Sequence, residues 1–418
     1  MNPAPIPPFL DREKSDACIH CGLCLQACPT FLETGNENDS PRGRIHLMRG
    51  LDDGRFPLTN GIANHIDRCL GCRACEAVCP SGVEYGAMIE RTREIIRQHR
   101  TMPLPKRLLQ RVVVERLLIS PTALRLSTVS ARWMQRIGGM ALLPQRLRAM
   151  AALLPPKSSN NTAEKITRQG VREKKIATGI MGGCVASVLF PETNRATISA
   201  AQACGYQITA DSGSACCGAI HAHSGNMEQA RARAQAMIAF FERAEVDVVL
   251  VHAAGCGSTM KEYPQLFNGN PQWHARAEQF SSKVRDVTEI LHELPDDFNK
   301  KATNHPRTTY HDACHLCHAQ NIAEQPRTLL RSILGENFVE LPEADICCGS
   351  AGSYNITQPE LAQRLGARKA KNILATEATV VVAANIGCIM QIRASLSAAG
   401  ANGVRVVHIA DWVMEFGQ

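Results

Sequence analysis

Two cysteine runs near the start of this 418-residue chain constrain its fold more than any other feature. One run reads CIHCGLCLQACP and the other reads CLGCRACEAVCP, so both have the spacing C-x2-C-x2-C-x3-C-P. Three cysteines at two-residue intervals let a tight loop hold three corners of a cubic iron–sulfur cluster, while the fourth cysteine reaches a second cluster. This spacing is typical of bacterial ferredoxins that carry two [4Fe–4S] clusters.

The spacing assigns four ligands to each cluster, because the last cysteine of each run serves the other cluster. Zinc is the alternative metal, but structural zinc sites favour two C-x2-C pairs, often with histidine, and two identical four-cysteine runs fit cubanes better. The first cluster is expected on Cys18, Cys21, Cys24 and Cys79, and the second on Cys69, Cys72, Cys75 and Cys28.

Cysteine usage supports metal chemistry over disulfides. The chain has 18 cysteines, yet Met1 to Leu10 contains no basic segment followed by an apolar run, so no secretory signal is predicted. We expect a cytoplasmic protein, with peripheral attachment to the cytoplasmic face of the inner membrane as the alternative. Thiols stay reduced in that compartment, so clustered cysteines there indicate metal or redox sites.

A basic segment lies between the two runs and reads SPRGRIHLMRG. Arg42, Arg44 and Arg49 could offset the negative charge of thiolate-ligated clusters. A solvated basic helix face explains the same residues equally well. The sequence leaves both interpretations open.

A second basic stretch, residues 97–157, contains twelve lysines and arginines but a single acid, Glu115. It is also rich in leucine, valine and methionine, and prolines divide it into short helices. Basic amphipathic helices suit an anionic membrane surface or an acidic partner subunit, and a helical linker is the third interpretation. Nucleic acid is not expected as a partner, because no aromatic-rich basic patch or zinc-finger spacing is present.

The C-terminal part contains an internal duplication of cysteine positions, offset by 130 to 132 residues. Each copy also alternates short apolar strands with helices, which indicates a parallel α/β unit with its loops at one sheet edge. The first copy contains Cys184, Cys216, Cys217 and Cys256, and the second contains Cys314, Cys347, Cys348 and Cys388.

These repeated cysteines are expected to converge, and three roles stay open: a metal or cluster site, a redox thiol pair, or buried free thiols. Cys204 and Cys317 could add a ligand to either copy. His311 and Asp312 are candidates for local proton handling, although a cap or hydrogen-bond role is favoured.

The pattern predicts a multidomain α+β chain: a helical, bacterial-type two-cluster ferredoxin domain followed by a duplicated α/β cysteine-rich CCG domain. The predicted boundaries are residues 1–96 for the ferredoxin domain, 97–170 for the basic helical segment and linker, 171–300 for the first repeat and 301–418 for the second.

Several segments together resemble the iron–sulfur subunits of bacterial glycolate oxidases, over nearly the whole chain. They include CIHCGLC, SPRGRI, DRCLGCRACEAVCPSGVEY, SACCGAIHAH, CCGSAGSYNITQPELA and ANIGCIMQI. The resemblance implies an electron relay from FAD-containing subunits, which oxidise glycolate to glyoxylate, to a quinone or other acceptor. The broader family implies the alternatives of a lactate or glycerol-3-phosphate dehydrogenase subunit, or a CCG-type thiol–disulfide reductase.

The chain departs from the broad CCG pattern at the end of each repeat, where that pattern has C-x-x-C. Neither Cys256 nor Cys388 is followed by a second cysteine at that spacing. Cys317 could replace the missing cysteine only in the second copy. This departure argues against a noncubane cluster in each repeat and leaves open whether a further iron–sulfur cluster is bound.

The chain is not expected to act alone on a substrate. It has no Gly-x-Gly-x-x-Gly fingerprint after a strand, so neither flavin nor NAD is expected on it, and no catalytic residue is assigned. Its expected chemistry is one-electron transfer as the non-flavin subunit of an oxidoreductase complex.

Overall fold

The structure, a computed structural model, describes residues 6–100, 104–139, 145–155, 176–295 and 305–416. The predicted linker from Pro155 to Gly170 lies outside these ranges, apart from Pro155 itself.

The N-terminal region is helical, and its helices begin where the sequence supplies starting signals. Pro29 and Pro41 occupy first-turn positions, where a missing N–H costs nothing. Ser40 caps the longer of these two helices by accepting a hydrogen bond from Gly43 N at 3.0 Å. The helices are α1 (Arg12–Asp16), α2 (Pro29–Thr34), α3 (Pro41–Asp52), α4 (Asn60–Asp67), α5 (Ala74–Ala77) and α6 (Tyr85–His99), with 3-10 turns at Leu23–Leu25 and Glu37–Asp39.

The basic segment forms short helices, as its prolines predict. Arg97 at the end of α6 donates hydrogen bonds of 2.5 and 3.1 Å to Glu115, and this ion pair attaches the segment to the ferredoxin region. Its elements are α7 (Leu104–Leu108), a π-helical stretch (Leu109–Leu117), α8 (Pro121–Arg136) and α9 (Gln145–Ala152).

The first repeat is a four-stranded parallel sheet flanked by helices. Its strands are β1 (Ala177–Met181), β2 (Gln207–Asp211), β3 (Val248–Val251) and β4 (Val284–Asp286), in the order β2-β1-β3-β4. Its helices are α10 (Ala186–Leu189), α11 (Pro191–Ala203), α12 (Ala219–His223), α13 (Met227–Arg243), α14 (Ala254–Lys261), α15 (Tyr263–Leu266), α16 (Pro271–Lys283) and α17 (Val287–Ile290), followed by a 3-10 turn at Leu291–Glu293.

The second repeat has the same sheet order, β6-β5-β7-β8, again with every pair parallel. Its strands are β5 (Thr308–His311), β6 (Phe338–Val339), β7 (Val380–Ala383) and β8 (Arg405–His408). Its helices are α18 (Cys314–Cys317), α19 (Glu324–Leu334), α20 (Tyr354–Thr357), α21 (Pro359–Ala375), α22 (Ile386–Ala398) and α23 (Ile409–Phe416), with a 3-10 turn at Gly335–Asn337. The predicted duplication of an α/β unit is confirmed.

The two repeats pack against each other through α11 and α23. Thr193 Oγ1 donates to Asp411 Oδ2 at 2.7 Å, and His408 Nε2 donates to the His252 carbonyl at 2.8 Å across the same interface. Apolar residues of both repeats share one buried core. The cysteine loops of both repeats are therefore held in a fixed relation to each other.

Candidate metal centres and their surroundings

Each cysteine run bends through two residues with left-handed backbone. In the first run these are His20 and Gly22, with φ of 57° and 87°, and in the second they are Gly71 and Arg73, with φ of 66° and 63°. In each run, one residue of the pair directly precedes the second cysteine and the other directly follows it. Such residues curve a chain tightly, so the two runs form equivalent loops, as their equal spacing predicts.

The four thiols predicted for the second cluster line one small cavity, together with Arg44 and Tyr85. Three of them are buried and Cys75 is half-buried. Thiols of this number around one space fit a cubane, which needs one thiolate for each iron. The predicted ligands in this cavity are Cys28, Cys69, Cys72 and Cys75.

A buried arginine lines this cavity, and a second arginine acts on one of its thiols. Arg44, 1% exposed, donates to the His65 carbonyl at 2.7 Å and to Thr30 Oγ1 at 3.1 Å. Burial opposes ionisation of the Cys69 thiol, but the charges of Arg44 and Arg93 outweigh it and lower the pKa of Cys69. This electrostatic environment favours the thiolate, which is the form that binds iron.

The first predicted cluster lies nearer the surface. Cys21 is exposed, whereas Cys18, Cys24 and Cys79 are half-buried. Cys18 and Cys79, which come from different runs, pack against the same apolar core. This contact brings the two runs together, as shared ligation requires.

The arginines of the SPRGRIHLMRG segment lie beside both cysteine loops. Arg42 Nη1 donates to the His20 carbonyl at 3.2 Å, and Arg49 Nη2 is 3.4 Å from the Cys18 carbonyl oxygen. With Arg44 buried beside the second cavity, all three arginines lie where they offset cluster charge. The structure therefore favours that interpretation over a solvated basic face.

In the first repeat the four predicted cysteines converge. Cys217 Sγ lies 3.1 Å from Cys256 Sγ. Hydrogen bonds from the thiols of Cys184 and Cys217 hold the pKa of Cys216 well below its ordinary value, with a further N–H contact from Gly218 at 3.4 Å. The arrangement provides one stabilised thiolate among four adjacent sulfur atoms.

In the second repeat the four predicted cysteines also converge. Cys314 Sγ is 3.9 Å from Cys347 Sγ, and the thiol of Cys348 contacts those of Cys347 and Cys388. His311 joins Cys348 and Cys388 in a group whose ligand atoms all lie within 4.8 Å of one another. The pattern of cysteines predicted the thiols, but it did not identify His311 as a member of this group.

The glycine of each CCG motif is required by its backbone and its packing. Gly218 and Gly349 have φ of 88° and 89°. A Cβ on Gly349 would lie 2.9 Å from the Ala362 carbonyl oxygen, and one on Gly218 would lie 3.1 Å from that of Ala230. The third letter of the motif thus allows the cysteine loop to pack closely on the following helix.

Three other candidates lie apart from these groups. Asp312 is held by both terminal nitrogens of Arg327, at 2.7 and 2.5 Å, which gives it a structural ion pair. Cys317 Sγ contacts the Cys314 carbonyl at 3.7 Å. Cys204 lies in the core beneath the sheet, where its Sγ is 3.3 Å from the Ile290 carbonyl.

The second repeat lies directly against the second cluster loop. Cys72 packs in one buried cluster with Cys314 and Cys347. Tyr354, from the same repeat, donates through its hydroxyl to the Arg68 carbonyl at 2.8 Å, just before Cys69. Sequence reasoning did not single out Tyr354, although it lies in the quoted segment SYNITQPELA.

The first repeat contacts the same loop through charged residues. Arg73, between Cys72 and Cys75, forms an ion pair with Glu262 at the end of α14. His223 Nδ1 is 2.8 Å from Glu90 Oε1 on α6. Both repeats therefore meet the ferredoxin region around the second cluster site.

A cavity of about 160 Å³ lies where these units meet. Cys69 and Leu70 of the second cluster loop form one side of it, and residues of both repeats form another. Gln110 and Val114 of the π-helical stretch line it as well. Its lining combines apolar groups with the cations of Arg93, Arg97 and Arg100.

An apolar stripe covers one side of α8 and extends just past its end. Its four residues recur at helical spacing and are between 56% and 71% exposed: Leu126, Val129, Trp133 and Ile137. Arg125 and Arg136 flank the stripe and are also exposed. Among the helices that the structure describes, none has the length and apolar character needed to span a bilayer.

Comparison with known proteins matches both halves of the chain to family models. Residues 14–83 match a 4Fe-4S dicluster domain, and residues 179–261 and 308–393 each match a cysteine-rich domain named CCG. The predicted fold class is thereby confirmed.

Whole-length relatives bear iron–sulfur names. A probable glycolate oxidase iron–sulfur subunit of Bacillus subtilis (strain 168) is 38% identical, over 97% of this chain and 95% of its own length. The glycolate oxidase iron–sulfur subunit of Escherichia coli (strain K12) is 34% identical over 93% of this chain and 91% of its own length. Lactate utilization protein A of Oceanobacillus iheyensis is 29% identical, but over only 54% of this chain and 92% of its own length.

Two relatives above 30% identity are each covered almost end to end. The chain belongs to the family of glycolate oxidase iron–sulfur subunits.

Proposed function

We propose that this chain is the electron-transfer subunit of a glycolate oxidase complex. FAD-containing partner subunits oxidise glycolate to glyoxylate, and this chain carries the electrons singly to an acceptor. The observation that carries the proposal is the set of eight cysteines in two equivalent loops, on a chain that resembles glycolate oxidase iron–sulfur subunits along nearly its whole length. The partial coverage of the lactate-related proteins favours glycolate over lactate.

The chain holds two [4Fe–4S] clusters on the ligands predicted from spacing. The first, with its exposed Cys21, accepts electrons from the flavoprotein. Ile19 and Leu23, 70% and 58% exposed, border this cluster and provide an apolar surface for that partner. The second cluster lies deeper and passes electrons onward. Potentials are tuned by burial and by hydrogen bonds to sulfur, such as the contact of Tyr85 Oη with Cys69 Sγ at 3.6 Å.

The acceptor is a quinone that enters the 160 Å³ cavity beside Cys69. Apolar residues would contact its ring, and arginines such as Arg93 would stabilise negative charge on its oxygens as electrons arrive. The cavity also touches the π-helical stretch, whose Val112 is 44% exposed on the outer surface. A lipid-soluble acceptor therefore has a short path from the membrane.

A further iron–sulfur cluster belongs in the first CCG repeat. Its four cysteines supply the number of thiolates that a four-iron cluster needs, and Arg73 links the second cluster loop to the same repeat through Glu262. With this cluster each chain holds about twelve iron atoms and about twelve acid-labile sulfides, compared with about eight of each for the ferredoxin clusters alone.

The main test uses the complex purified without oxygen. Cys75→Ser should remove one cubane, with a loss of iron and of its EPR signal, and should block electron flow from glycolate to quinone. Glycolate oxidation with a dye that takes electrons directly from flavin should persist. Cys204→Ser is the matched control, because Cys204 lies in the core of the repeats. Full iron content and full quinone reduction in Cys75→Ser would contradict the ligand assignment.

The chain attaches to the cytoplasmic face of the inner membrane through α7, the π-helical stretch and α8. The α8 stripe would enter the interface while neighbouring arginines contact anionic headgroups, each cation contributing about 1 kcal/mol. Two multiple variants should no longer sediment with anionic vesicles. One combines Leu126→Gln with Trp133→Gln, and the other combines Arg107→Glu, Arg111→Glu and Arg116→Glu. Leu374→Gln, an exposed apolar change on α21, is the control. Unchanged sedimentation of both variants would leave the segment as a linker.

A further inference from the structure

A histidine and two cysteines of the second repeat come from three different elements. His311 is the last residue of β5, Cys348 belongs to the CCG turn, and Cys388 lies in the first turn of α22. One ligand atom from each lies within 4.8 Å of the other two. The parallel sheet brings the three residues together, because its strand ends and the loops beyond them lie at one edge.

All three side chains are removed from solvent. His311 is 0% exposed, Cys348 is 1% exposed and Cys388 is 3% exposed. Neither ring nitrogen of His311 makes a hydrogen bond of ordinary geometry among the described residues, and the nearest backbone partner is that of Ala344. A buried polar group without a partner destabilises the folded state. The fold therefore keeps an unsatisfied imidazole beside two buried thiols.

We propose that His311, Cys348 and Cys388 together bind one zinc or iron ion. Ligand bonds of about 2.0–2.1 Å to nitrogen and 2.3 Å to sulfur put the donors of one tetrahedral ion roughly 3.5–3.8 Å apart, so the side chains need little movement to close on it. Imidazole and thiolate donors select these metals over magnesium or calcium. A divalent ion with two thiolates and a neutral imidazole carries no net charge, which suits a buried site.

Neighbouring groups hold the ligands in place. Asn385 Nδ2 donates to Cys388 Sγ at 3.4 Å, as outer groups do in thiolate sites. Lys369, 2% exposed, donates through Nζ to the carbonyls of Glu343 and Ala344, just before the two cysteines of the second CCG motif. The two hydrogen bonds from Lys369 hold in place the segment that carries Cys348.

The first repeat lacks the nitrogen ligand, although its sulfur atoms are equivalent. At the offset of 130 residues, Met181 occupies the place of His311 and is 1% exposed. Cys217 and Cys256 correspond to the two thiols, and among the described residues no imidazole forms a group of this kind with them. The buried His221 of α12 interacts with Cys216 instead. The proposed ion is therefore specific to the second repeat, and the first repeat provides an internal control.

The experiment measures zinc, iron and acid-labile sulfide in the intact complex, purified without oxygen. Cys388→Ser and His311→Gln should each lower either zinc or iron by one ion per chain, with sulfide unchanged. Cys256→Ser and Cys317→Ser should retain that ion. Loss of zinc identifies zinc, and loss of one iron, with one mononuclear component missing from the Mössbauer spectrum, identifies iron. Either result supports the site.

Two results would overturn the proposal. One is an unchanged metal content in both variants. The other is a loss of about four irons together with sulfide, which would mean a cluster instead of a single ion. If the His311 variant fails to fold, the unmodified complex still decides the matter. If the ion is zinc, X-ray absorption of the unmodified complex must detect nitrogen as well as sulfur ligands around it. If the ion is iron, pulsed EPR or a Mössbauer comparison of the unmodified complex with Cys388→Ser must reveal the signal of a single iron ion. These measurements do not depend on which substrate the partner oxidises.

Discussion

Single residues decide how closely each cysteine loop approaches the rest of the molecule. The CCG glycines adopt left-handed backbone and contact the following helix, so a side chain there meets both backbone strain and a collision. The cysteine count and spacing were sufficient to predict the thiol ligands. They could not predict His311, because histidine next to aspartate in HDACHLCH has many structural roles and only the folded sheet edge brings it beside Cys348 and Cys388.

Gly349→Ala should destabilise the second repeat more than the same change at Gly400. Both residues have positive φ, which costs a non-glycine residue roughly 1–2 kcal/mol. Only at Gly349 does the new Cβ also meet backbone, at 2.9 Å from the Ala362 carbonyl, whereas Gly400 has open space around it. Overpacking adds roughly 1–3 kcal/mol. Hydrogen exchange of α21 amides measures the difference, and equal effects of the two substitutions would refute the packing argument.

At the scale of elements, alternation of strands and helices predicted both sheets, because apolar runs such as VVLV and VVVA fill β3 and β7. The last strand of each sheet was not predicted from this alternation. Strand β4 has only three residues, and its central Arg285 is exposed. Such a short edge strand carries no distinctive pattern, and its place is set by pairing with Val249 and Val251 of β3.

The cap of α17 should make the first repeat less stable as pH rises. Asp286 caps this helix by accepting hydrogen bonds from Thr288 N at 3.0 Å and Oγ1 at 2.7 Å. Burial raises its pKa from 3.8 to about 7, with nearby Glu289 adding to the effect and Lys261 opposing it. Between pH 4 and 7 the unfolded chain releases this proton while the folded chain retains it. Stability therefore falls across that window, by about 1.4 kcal/mol per pKa unit.

Asp286→Asn should remove this pH dependence, because asparagine can still cap the helix but does not ionise. The measurement is the urea midpoint of the whole chain at pH 5, 6 and 7, together with hydrogen exchange in α17. The variant should lose less stability than the unmodified protein as pH rises. Glu228→Gln, an exposed first-turn change in α13, is the control. Parallel pH profiles for Asp286→Asn and the unmodified protein would contradict the assignment.

At the scale of the whole molecule, the second cluster site is a junction. The ferredoxin region supplies its ligands, the second repeat packs Cys314 against Cys72, and the first repeat binds Arg73 through Glu262. The sequence indicated each unit separately, since every motif is local. It could not predict the junction, because Arg73 and Glu262 are 189 residues apart and no local pattern pairs one with the other.

Filling the cavity at this junction should impair quinone reduction while glycolate oxidation with a flavin-reactive dye continues. Thr357 lies at the exposed edge of the cavity, so Thr357→Trp can occupy it without entering the core. The expected result is a KM for quinone raised at least tenfold, equivalent to about 1.4 kcal/mol of binding, with iron content and cluster EPR unchanged. Gln363→Trp, at an exposed position of α21 outside the cavity, is the control. An unchanged KM in Thr357→Trp would mean that the acceptor meets the clusters elsewhere, most directly at the exposed loop of Cys21.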